Sequence, residues 1–182
     1  LGLAAVQMRL GEKFRFKDNT LFIRGLYPTP DWKKQNDIFK LDKAFILALI
    51  RRESAFNIKA KSPKGARGLM QLMPRTASKI QKDYRLRYGH VHKLYSLQLN
   101  LDVGQRYLSE LLYQDKIKKS LLDVLITYNA GVKGPRKWKI YNLEDDPLAF
   151  IESIPIRETR WFVKNILTDM WIYRDKLGQE KP

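Results

Sequence analysis

The chain has 182 residues and no cysteine, which excludes disulfide bonds and thiolate metal sites but leaves an oxidising compartment possible. It also lacks any apolar run of about 18 residues, so the sequence predicts no membrane-spanning helix. The apolar stretch Leu3–Val6 is too short for the core of a secretory signal. We therefore interpret the chain as a mature or truncated fragment, in which the missing signal does not indicate location.

Acidic residues are scarce as well: the chain has 19 Asp and Glu residues but 35 Lys and Arg residues, which gives a formal net charge of +16. Such an excess favours anionic partners, namely nucleic acid, anionic lipid or a cell wall that carries carboxylates. With 44% hydrophobic residues, the chain is large enough for one core. The basic residues occur in separate clusters, each most simply a solvated surface: Lys33-Lys34, Arg51-Arg52, Lys116–Lys119 and Lys133–Lys139.

One glutamate interrupts an otherwise apolar helical pattern. The segment Asp42–Phe56 is predicted to be a helix that Asp42 caps at its N-terminus. At about 100° per residue, Glu53 continues the apolar stripe of this helix, whereas Arg51 is predicted to face away and Arg52 to lie on the flank. The stripe consists of Phe45, Ile46, Leu49 and Ile50.

A carboxyl group on the apolar face of a helix is costly to ionise, so the pKa of Glu53 is expected to lie above its ordinary value. A carboxylic acid that stays protonated near neutral pH can donate a proton to a leaving oxygen. A structural role, in an ion pair or as a helix cap, is the alternative, because ion-pair networks also shift pKa values.

The segment Ser62–Pro74 is predicted to be a tight loop close in sequence to this acid. Gly65 and Gly68 permit backbone conformations and close approaches that other residues resist. Pro74 is suited to the first turn of the next helix, predicted over roughly 75–84. The Leu and Met residues of the loop are explained by core packing, whereas Gln71 adds an amide that both donates and accepts hydrogen bonds.

A second polar side chain continues an apolar helical stripe at Tyr128, which follows Leu121, Val124 and Leu125 at helical spacing. The helix is predicted to end at Asn129-Ala130-Gly131, with Gly131 as its C-terminal cap. The phenol would then emerge at a helix end, as many structural tyrosines also do. Two further helices are predicted over 100–114 and 157–176, and Glu158 suits the first turn of the latter.

Four motifs occur in an order that resembles the soluble lytic transglycosylases of bacterial cell walls. They are Glu53-Ser54, the run from Ser62 to Pro74, Tyr128-Asn129-Ala130-Gly131 and the segment Ile151 to Arg160. The resemblance extends from about Tyr27 to about Arg174. Three departures from the family pattern are Thr127 in place of Ala, Val132-Lys133-Gly134 in place of a Pro-containing sequel, and Ile156 in place of Phe.

The resemblance implies a helix-dominated, lysozyme-like fold with a substrate groove between two lobes and a small β element near the glycine loop. Residues 41–182 would form the catalytic domain. Residues 1–40 would be a lead-in, the remnant of a junction with a larger N-terminal helical region. Within this lead-in, the residues around Lys17–Thr20 could turn a short hairpin or belong to an ordered tail.

The resemblance also implies an activity: cleavage of the β-1,4 bond between N-acetylmuramic acid and N-acetylglucosamine in peptidoglycan, with formation of 1,6-anhydro ends. Glu53 would be the single catalytic acid and base. The enzyme would be a periplasmic monomer that needs no metal or other cofactor and has no nucleic-acid partner. The residues implied to contact the glycan or shape its groove are Ser62, Gln71, Met73, Tyr128, Asn129 and Glu158.

Several alternatives remain open at this point. Asn129 could equally be a helix cap, and Ser62 a turn residue before Pro63. His90 and His92 are interpreted as surface residues. A muramidase of the same architecture would deliver water instead of the sugar's own hydroxyl. A non-enzymatic basic module that binds wall polymer or nucleic acid fits the charge, but it gives no reason for Glu53.

Overall fold

The computed structural model describes residues 3–14, 16–17, 20–21, 23–32, 38–113, 120–131 and 146–180. These are mostly helical, as the sequence predicts. The helices are α1 (Leu3–Lys13), α2 (Ile23–Leu26), α3 (Lys43–Ser54), α4 (Pro74–Gln81), α5 (Leu97–Tyr113), α6 (Leu121–Ala130), α7 (Pro147–Ser153) and α8 (Arg157–Leu177). Two 3₁₀ helices, Tyr84–Arg87 and Val91–Tyr95, connect α4 to α5. None of the described helices is both long and apolar enough to cross a bilayer.

The chain divides into two structural units. The first contains residues 1–106 and 170–182, and the second contains residues 107–169. Helix α3 and the glycine-rich loop that follows it belong to the first unit. Helices α6 and α7 and the start of α8 belong to the second, so the predicted site residues are distributed over both units.

Helix α3 is the most deeply buried element of the first unit. Asp42 caps it as predicted, because its carboxylate accepts a hydrogen bond of 2.7 Å from the Phe45 amide. Every residue from Ala44 to Arg51 is buried, so this helix has no solvent face over that stretch. A helix that is apolar all round is expected at the centre of a core.

The predicted outward position of Arg51 is therefore wrong. Its side chain is only 9% exposed, and Nε donates a hydrogen bond of 2.9 Å to the Leu26 carbonyl. The guanidinium lies 4.3 Å from the ring centroid of Tyr27. Helical periodicity places a side chain on a face, but here a second layer of protein covers the face that the sequence assigned to solvent. The hydrogen bond and the cation–π contact stabilise the buried cation.

The N-terminal segment is more ordered than the sequence indicates. Helix α1 has no counterpart among the predicted elements, and it packs against α2 at Gly11, where an added Cβ would lie 2.5 Å from the Gly25 carbonyl carbon. The predicted short hairpin is confirmed: β1 (Phe16–Lys17) pairs antiparallel with β2 (Thr20–Leu21), with Phe16 opposite Leu21.

Helices α4, α5 and α8 lie at their predicted places, with ends that differ from the predictions by up to three residues. Helix α5 was predicted over 100–114, and its residues Leu101, Leu108 and Leu111 are fully buried, whereas Leu112 is only partly buried. Helix α8 was predicted over 157–176 and ends one residue later. Helix α4 ends three residues earlier than predicted, because Lys82 takes a left-handed conformation with φ 54°. A left-handed residue at a helix end is usually a glycine, so a lysine in this position does not indicate in the sequence that the helix ends there.

Candidate active site

Glu53 lies in the last turn of α3, with its side chain half-buried. The chain then turns sharply, because both Ala55 and Phe56 adopt left-handed conformations, with φ values of 47° and 62°. Such a conformation costs a residue with a side chain about 1 to 3 kcal/mol. Phe56 is buried at 2% exposure, so burial of its ring opposes that cost. The end of α3 is thus held in one conformation directly beside the predicted acid.

Ser62 organises the start of the glycine-rich loop. Its hydroxyl oxygen accepts a hydrogen bond of 3.0 Å from the Ala66 amide, and its backbone N–H donates to the Ala66 carbonyl at 3.1 Å. The Ser62 carbonyl also accepts from Gly65, whose φ of 94° requires the left-handed region. Ser62 is therefore a turn residue, as one of the two interpretations predicts. Its hydroxyl proton is not used in the turn and can be donated to a ligand.

A very small hairpin forms the centre of the loop and confirms the predicted β element. Arg67 and Leu72 exchange two backbone hydrogen bonds of 3.0 Å, and Arg67 also bridges to Lys61. Gly68 begins the turn with φ 77°, and Gln71 ends it with φ 45°. Residues 67–72 are thus a hairpin whose turn needs left-handed backbone at two positions.

The side chain of Gln71 stabilises the turn of the hairpin by hydrogen bonds. Its amide nitrogen donates to the Gly68 carbonyl at 2.8 Å and to the Ala60 carbonyl at 3.3 Å. Because both amide protons are engaged within the loop, the side-chain oxygen is the atom that Gln71 can offer to a ligand. The Ala60 carbonyl also accepts from the Gly68 amide at 3.0 Å, so the hairpin is tied to the segment that follows α3.

The apolar side chains of the loop divide into core and surface. Leu69, Met70 and Leu72 are almost completely buried, as the packing interpretation predicts. Met73 is 41% exposed and precedes Pro74, which begins α4 as predicted. Met73 is thus an exposed apolar residue that can contact a ligand, and it can adapt its shape because a Met side chain is unbranched and flexible.

Asn100 on α5 holds the hairpin in place, a role that was not predicted from the sequence. Its side chain is fully buried. The carbonyl oxygen accepts from the Met70 amide at 2.8 Å, and the NH₂ group donates to Arg67 and Leu94 carbonyls at 3.0 and 2.8 Å. A signal was present, because Asn100 lies eleven residues before Leu111, so at about 100° per residue the two share the buried face of α5.

In the second unit, Tyr128 lies in the last turn of α6 and is half-buried. Gly131 caps this helix as predicted, with φ 79° and its N–H bonded to the Thr127 carbonyl at 2.9 Å. The Tyr128 ring lies 5.6 Å from the ring of Tyr107, centroid to centroid. Burial, with a smaller contribution from the charge of Glu110, raises the pKa of Tyr107, so this supporting ring stays neutral.

Asn129 connects the end of α6 to the start of α8. Its side-chain oxygen accepts a hydrogen bond of 2.8 Å from the hydroxyl of Thr159, which is almost fully buried. Glu158 is the residue before Thr159 and is exposed in the first turn of α8. Tyr128, Asn129 and Glu158 are therefore brought into one neighbourhood by the contact between Asn129 and Thr159.

Two buried threonines in this unit differ in their hydrogen bonding. The Thr127 hydroxyl is buried and finds no hydrogen-bond partner among the described residues, whereas the Thr159 hydroxyl donates to Asn129. We expect Thr127→Val to raise the free energy of unfolding by about 1 kcal/mol, because an unsatisfied buried hydroxyl is removed without loss of volume. Urea denaturation of the purified variant measures this change.

The matched control is Thr159→Val, which removes a satisfied hydroxyl from a similarly buried position. We expect it to lower the free energy of unfolding by about 1 to 2 kcal/mol, because Asn129 loses its partner. Equal effects of the two substitutions would contradict the assignment of the Thr127 hydroxyl as unsatisfied.

The described residues contain no group of three or more His, Asp or Glu side chains placed to hold a metal ion. The histidines lie near the second 3₁₀ helix: His92 is exposed, and His90 is partly buried. Their ring centroids are 6.1 Å apart. The predicted surface position therefore holds for His92 and only in part for His90.

Comparison with known proteins identifies the family. Residues 30–150 match the family model described as the transglycosylase SLT domain, so the chain belongs to the SLT transglycosylase-domain family. The chain is 36% identical over 174 residues to the soluble lytic murein transglycosylase of Salmonella typhimurium. This match covers 94% of the chain but 25% of that relative. The chain thus spans about a quarter of the length of this relative.

Two solved structures show the same fold. The 70 kDa soluble lytic transglycosylase Slt70 of Escherichia coli superposes with a TM-score of 0.79 at 29% identity, over 97% of this chain and 29% of that one. An inactive glutamate-to-glutamine mutant of the lytic transglycosylase Slt of Pseudomonas aeruginosa superposes with a TM-score of 0.77 at 29% identity, over 96% and 28%. The predicted helix-dominated, lysozyme-like fold class is confirmed.

Proposed function

We propose that this protein is a peptidoglycan lytic transglycosylase, which cleaves the β-1,4 bond between N-acetylmuramic acid and N-acetylglucosamine and leaves 1,6-anhydro-muramic acid ends. The observation that carries this proposal is the family match over residues 30–150, which includes Glu53, the glycine-rich hairpin and the Tyr128 motif. The names of the curated relatives support the same activity.

In the first step, the protonated carboxyl group of Glu53 donates its proton to the oxygen that bridges the two sugars. The bond between C1 and this oxygen breaks, and the leaving sugar departs with a neutral hydroxyl. Positive charge develops at C1 of the muramic acid, where the 2-acetamido group can stabilise it. Glu53 lies half-buried in the last turn of a buried helix, and this position supports the role, because a carboxyl group there is partly shielded from water.

In the second step, the same carboxylate removes the proton from the 6-hydroxyl of the muramic acid, and that oxygen attacks C1. The 1,6-anhydro ring closes, and Glu53 regains its proton. One carboxyl group therefore suffices, since the nucleophile belongs to the substrate, whereas most glycosidases need two carboxylates. The tethered hydroxyl has the advantage of proximity over water.

The other predicted residues would bind the glycan. In the first unit, the Gln71 side-chain oxygen and the Ser62 hydroxyl proton are the polar atoms available for this, and Met73 offers apolar surface. In the second unit, Asn129 would offer its NH₂ group, because its oxygen is bonded to Thr159. Tyr128 would hydrogen-bond the sugar near the reacting carbon, and Glu158 would contact the substrate.

The wider assignment follows the family. Residues 41–182 would act as the catalytic domain and residues 1–40 as a lead-in from a larger helical region. The protein would act in the periplasm as a monomer on glycan strands. The net charge of +16 supports this substrate, because a polymer that carries peptide and lactyl carboxylates attracts a basic protein. High salt should weaken this attraction.

The product spectrum from purified sacculi tests the proposal. We expect mass spectrometry to find muropeptides that end in 1,6-anhydro-muramic acid, each lighter by one water than the product of hydrolysis. Reducing ends in their place would identify a hydrolytic muramidase of the same fold. An absence of any cleavage, combined with DNA binding that weakens steeply with salt, would support a basic binding module instead.

A further inference from the structure

Tyr84 and Tyr88 form an exposed pair to which the family resemblance assigns no role in the candidate active site. Tyr84 and Tyr88, at the two ends of the first 3₁₀ helix, are 65% and 61% exposed. Their ring centroids are 5.3 Å apart, with an angle of 51° between the rings. Leu86, between them, is buried at 2% exposure and anchors the segment. A contiguous exposed aromatic surface on a buried anchor is typical of a binding site.

The backbone that carries the pair is well fixed. The Asp83 side chain caps the 3₁₀ helix by accepting from the Arg85 amide at 3.0 Å. The Arg85 carbonyl accepts from the Tyr88 and His90 amides at 3.1 and 2.8 Å. The backbone that carries the rings is hydrogen-bonded, and Leu86 anchors it in the core. Ordering the rings on binding would therefore cost less free energy than ordering the residues of a flexible loop.

An arginine lies beside the two rings. The Arg87 guanidinium lies 5.4 Å from the Tyr88 centroid and 6.0 Å from the Tyr84 centroid. Hydrogen bonding with Tyr84 raises the pKa of the Tyr88 phenol, whereas the charges of Arg87 and Arg75 act in the opposite direction. The surface therefore presents two aromatic faces beside a cation.

The neighbouring acid does not cancel this charge. Asp83 is bonded to Arg85 through both carboxylate oxygens, at 2.9 and 3.1 Å, and this pairing holds its pKa below the ordinary value. Arg85 therefore balances Asp83 locally. Arg87 and Arg75 remain as the cations that can meet a carboxylate of a ligand.

We infer that Tyr84, Tyr88 and Arg87 form an accessory binding surface for peptidoglycan, hereafter the tyrosine platform. The C–H faces of N-acetylated sugars would stack on the two rings, and Arg87 would bind lactyl or stem-peptide carboxylates of the same strand. The choice of this polymer rests on the function proposed above. None of the site residues implied by the family resemblance belongs to the platform, so it would hold the insoluble substrate in addition to the active site.

Binding to sacculi tests the platform without any need for cleavage. The full chain carrying Glu53→Gln would be sedimented with purified sacculi, alone and with Tyr84→Ala/Tyr88→Ala. We expect the double substitution to weaken binding by about fivefold or more, because two stacking surfaces are lost. The control is Tyr113→Ala on α5, a tyrosine that is 77% exposed; it should bind as well as the parent.

Two further variants separate stacking from misfolding and from charge. Tyr84→Phe/Tyr88→Phe keeps both ring faces and should retain binding. Arg87→Gln should weaken binding to sacculi but not to a neutral N-acetylglucosamine oligomer, whereas the alanine double variant should weaken both. Arg9→Gln, an exposed arginine on α1, is the control for charge.

The inference is overturned if the alanine double variant binds sacculi as tightly as Tyr113→Ala. It is also overturned if that variant loses binding to single-stranded DNA and none to sacculi, which would assign the platform to nucleic acid. Because binding is measured with the Glu53→Gln chain, these outcomes do not depend on catalysis. A wild-type protein that releases no anhydro ends would refute the proposed function and leave the binding result intact.

Discussion

Glu53→Gln should remove nearly all release of anhydro-muropeptides from sacculi, with a loss in kcat of about a thousandfold. The amide matches the carboxyl in shape but can neither donate a proton to the bridging oxygen nor remove one from the 6-hydroxyl. Both chemical steps fail because both use the same group. The fold should be unaffected, since Gln and Glu have similar helix propensities and the side chain lies in the last turn of α3.

The measurement is the rate of soluble muropeptide release, together with circular dichroism to verify folding. Glu12→Gln on α1 is the matched control, because Glu12 is an exposed helical glutamate outside the candidate site. It should turn over at the wild-type rate. A folded Glu53→Gln protein that keeps wild-type turnover would show that another group transfers the proton.

Asn100→Ala should lower the free energy of unfolding by about 3 to 5 kcal/mol. The substitution removes three hydrogen bonds: the one from the buried Met70 amide, the one to the Leu94 carbonyl, and the one to the Arg67 carbonyl, which still accepts from the Leu72 amide. It also opens a cavity beneath the hairpin. The better helix propensity of Ala offsets less than 1 kcal/mol of this loss.

Urea denaturation measures the effect, with Gln98→Ala as the control, because Gln98 is exposed on the same helix. The control should change stability by less than about 0.5 kcal/mol. Cleavage should fall in Asn100→Ala even where the protein remains folded, since the hairpin that carries Gln71 is held through Asn100. A loss no larger than that of the control would mean that the hairpin is held by other contacts.

Gly68→Ala would disturb the same contact between the hairpin and Asn100, but from the hairpin. Gly68 needs φ 77°, and an added Cβ would overlap the Asn100 amide and the Leu94 carbonyl. Because the two substitutions disturb one contact, their effects should be less than additive in the double variant. The hairpin and α5 thus form one energetic unit, although about 30 residues separate them in the chain.

Features that depend on neighbours in the chain were predictable from the sequence. Asp42 lies three residues before the amide that it caps, and Gly131 bonds to a carbonyl four residues earlier. The left-handed conformations of Gly65 and Gly68 follow from the absence of a side chain. The four motifs, in their order, also indicated the family that the comparisons then confirmed.

Features that depend on distant partners were not predictable. Arg51 is buried because the Leu26 carbonyl and the Tyr27 ring, more than 20 residues earlier, lie against it. Gln71 was predicted from its residue type, but the structure shows that its amide protons belong to the loop. Lys82 and Phe56 adopt left-handed conformations although neither is a glycine, so their residue types do not predict these conformations.

Hydrogen bonds and steric limits within a few residues govern the helical class, the caps at Asp42 and Gly131 and the glycine turns, so these were predictable from the sequence. The residues proposed for chemistry followed from the resemblance of the four motifs to the family, together with the places of Glu53 and Tyr128 on apolar helical stripes. Only the tertiary structure decided that Asn100 holds the hairpin, that Arg51 is buried and that Tyr84 and Tyr88 form an exposed pair. The partners and the exposure of a side chain depend on segments that folding brings together, and local sequence patterns do not reveal which segments those are.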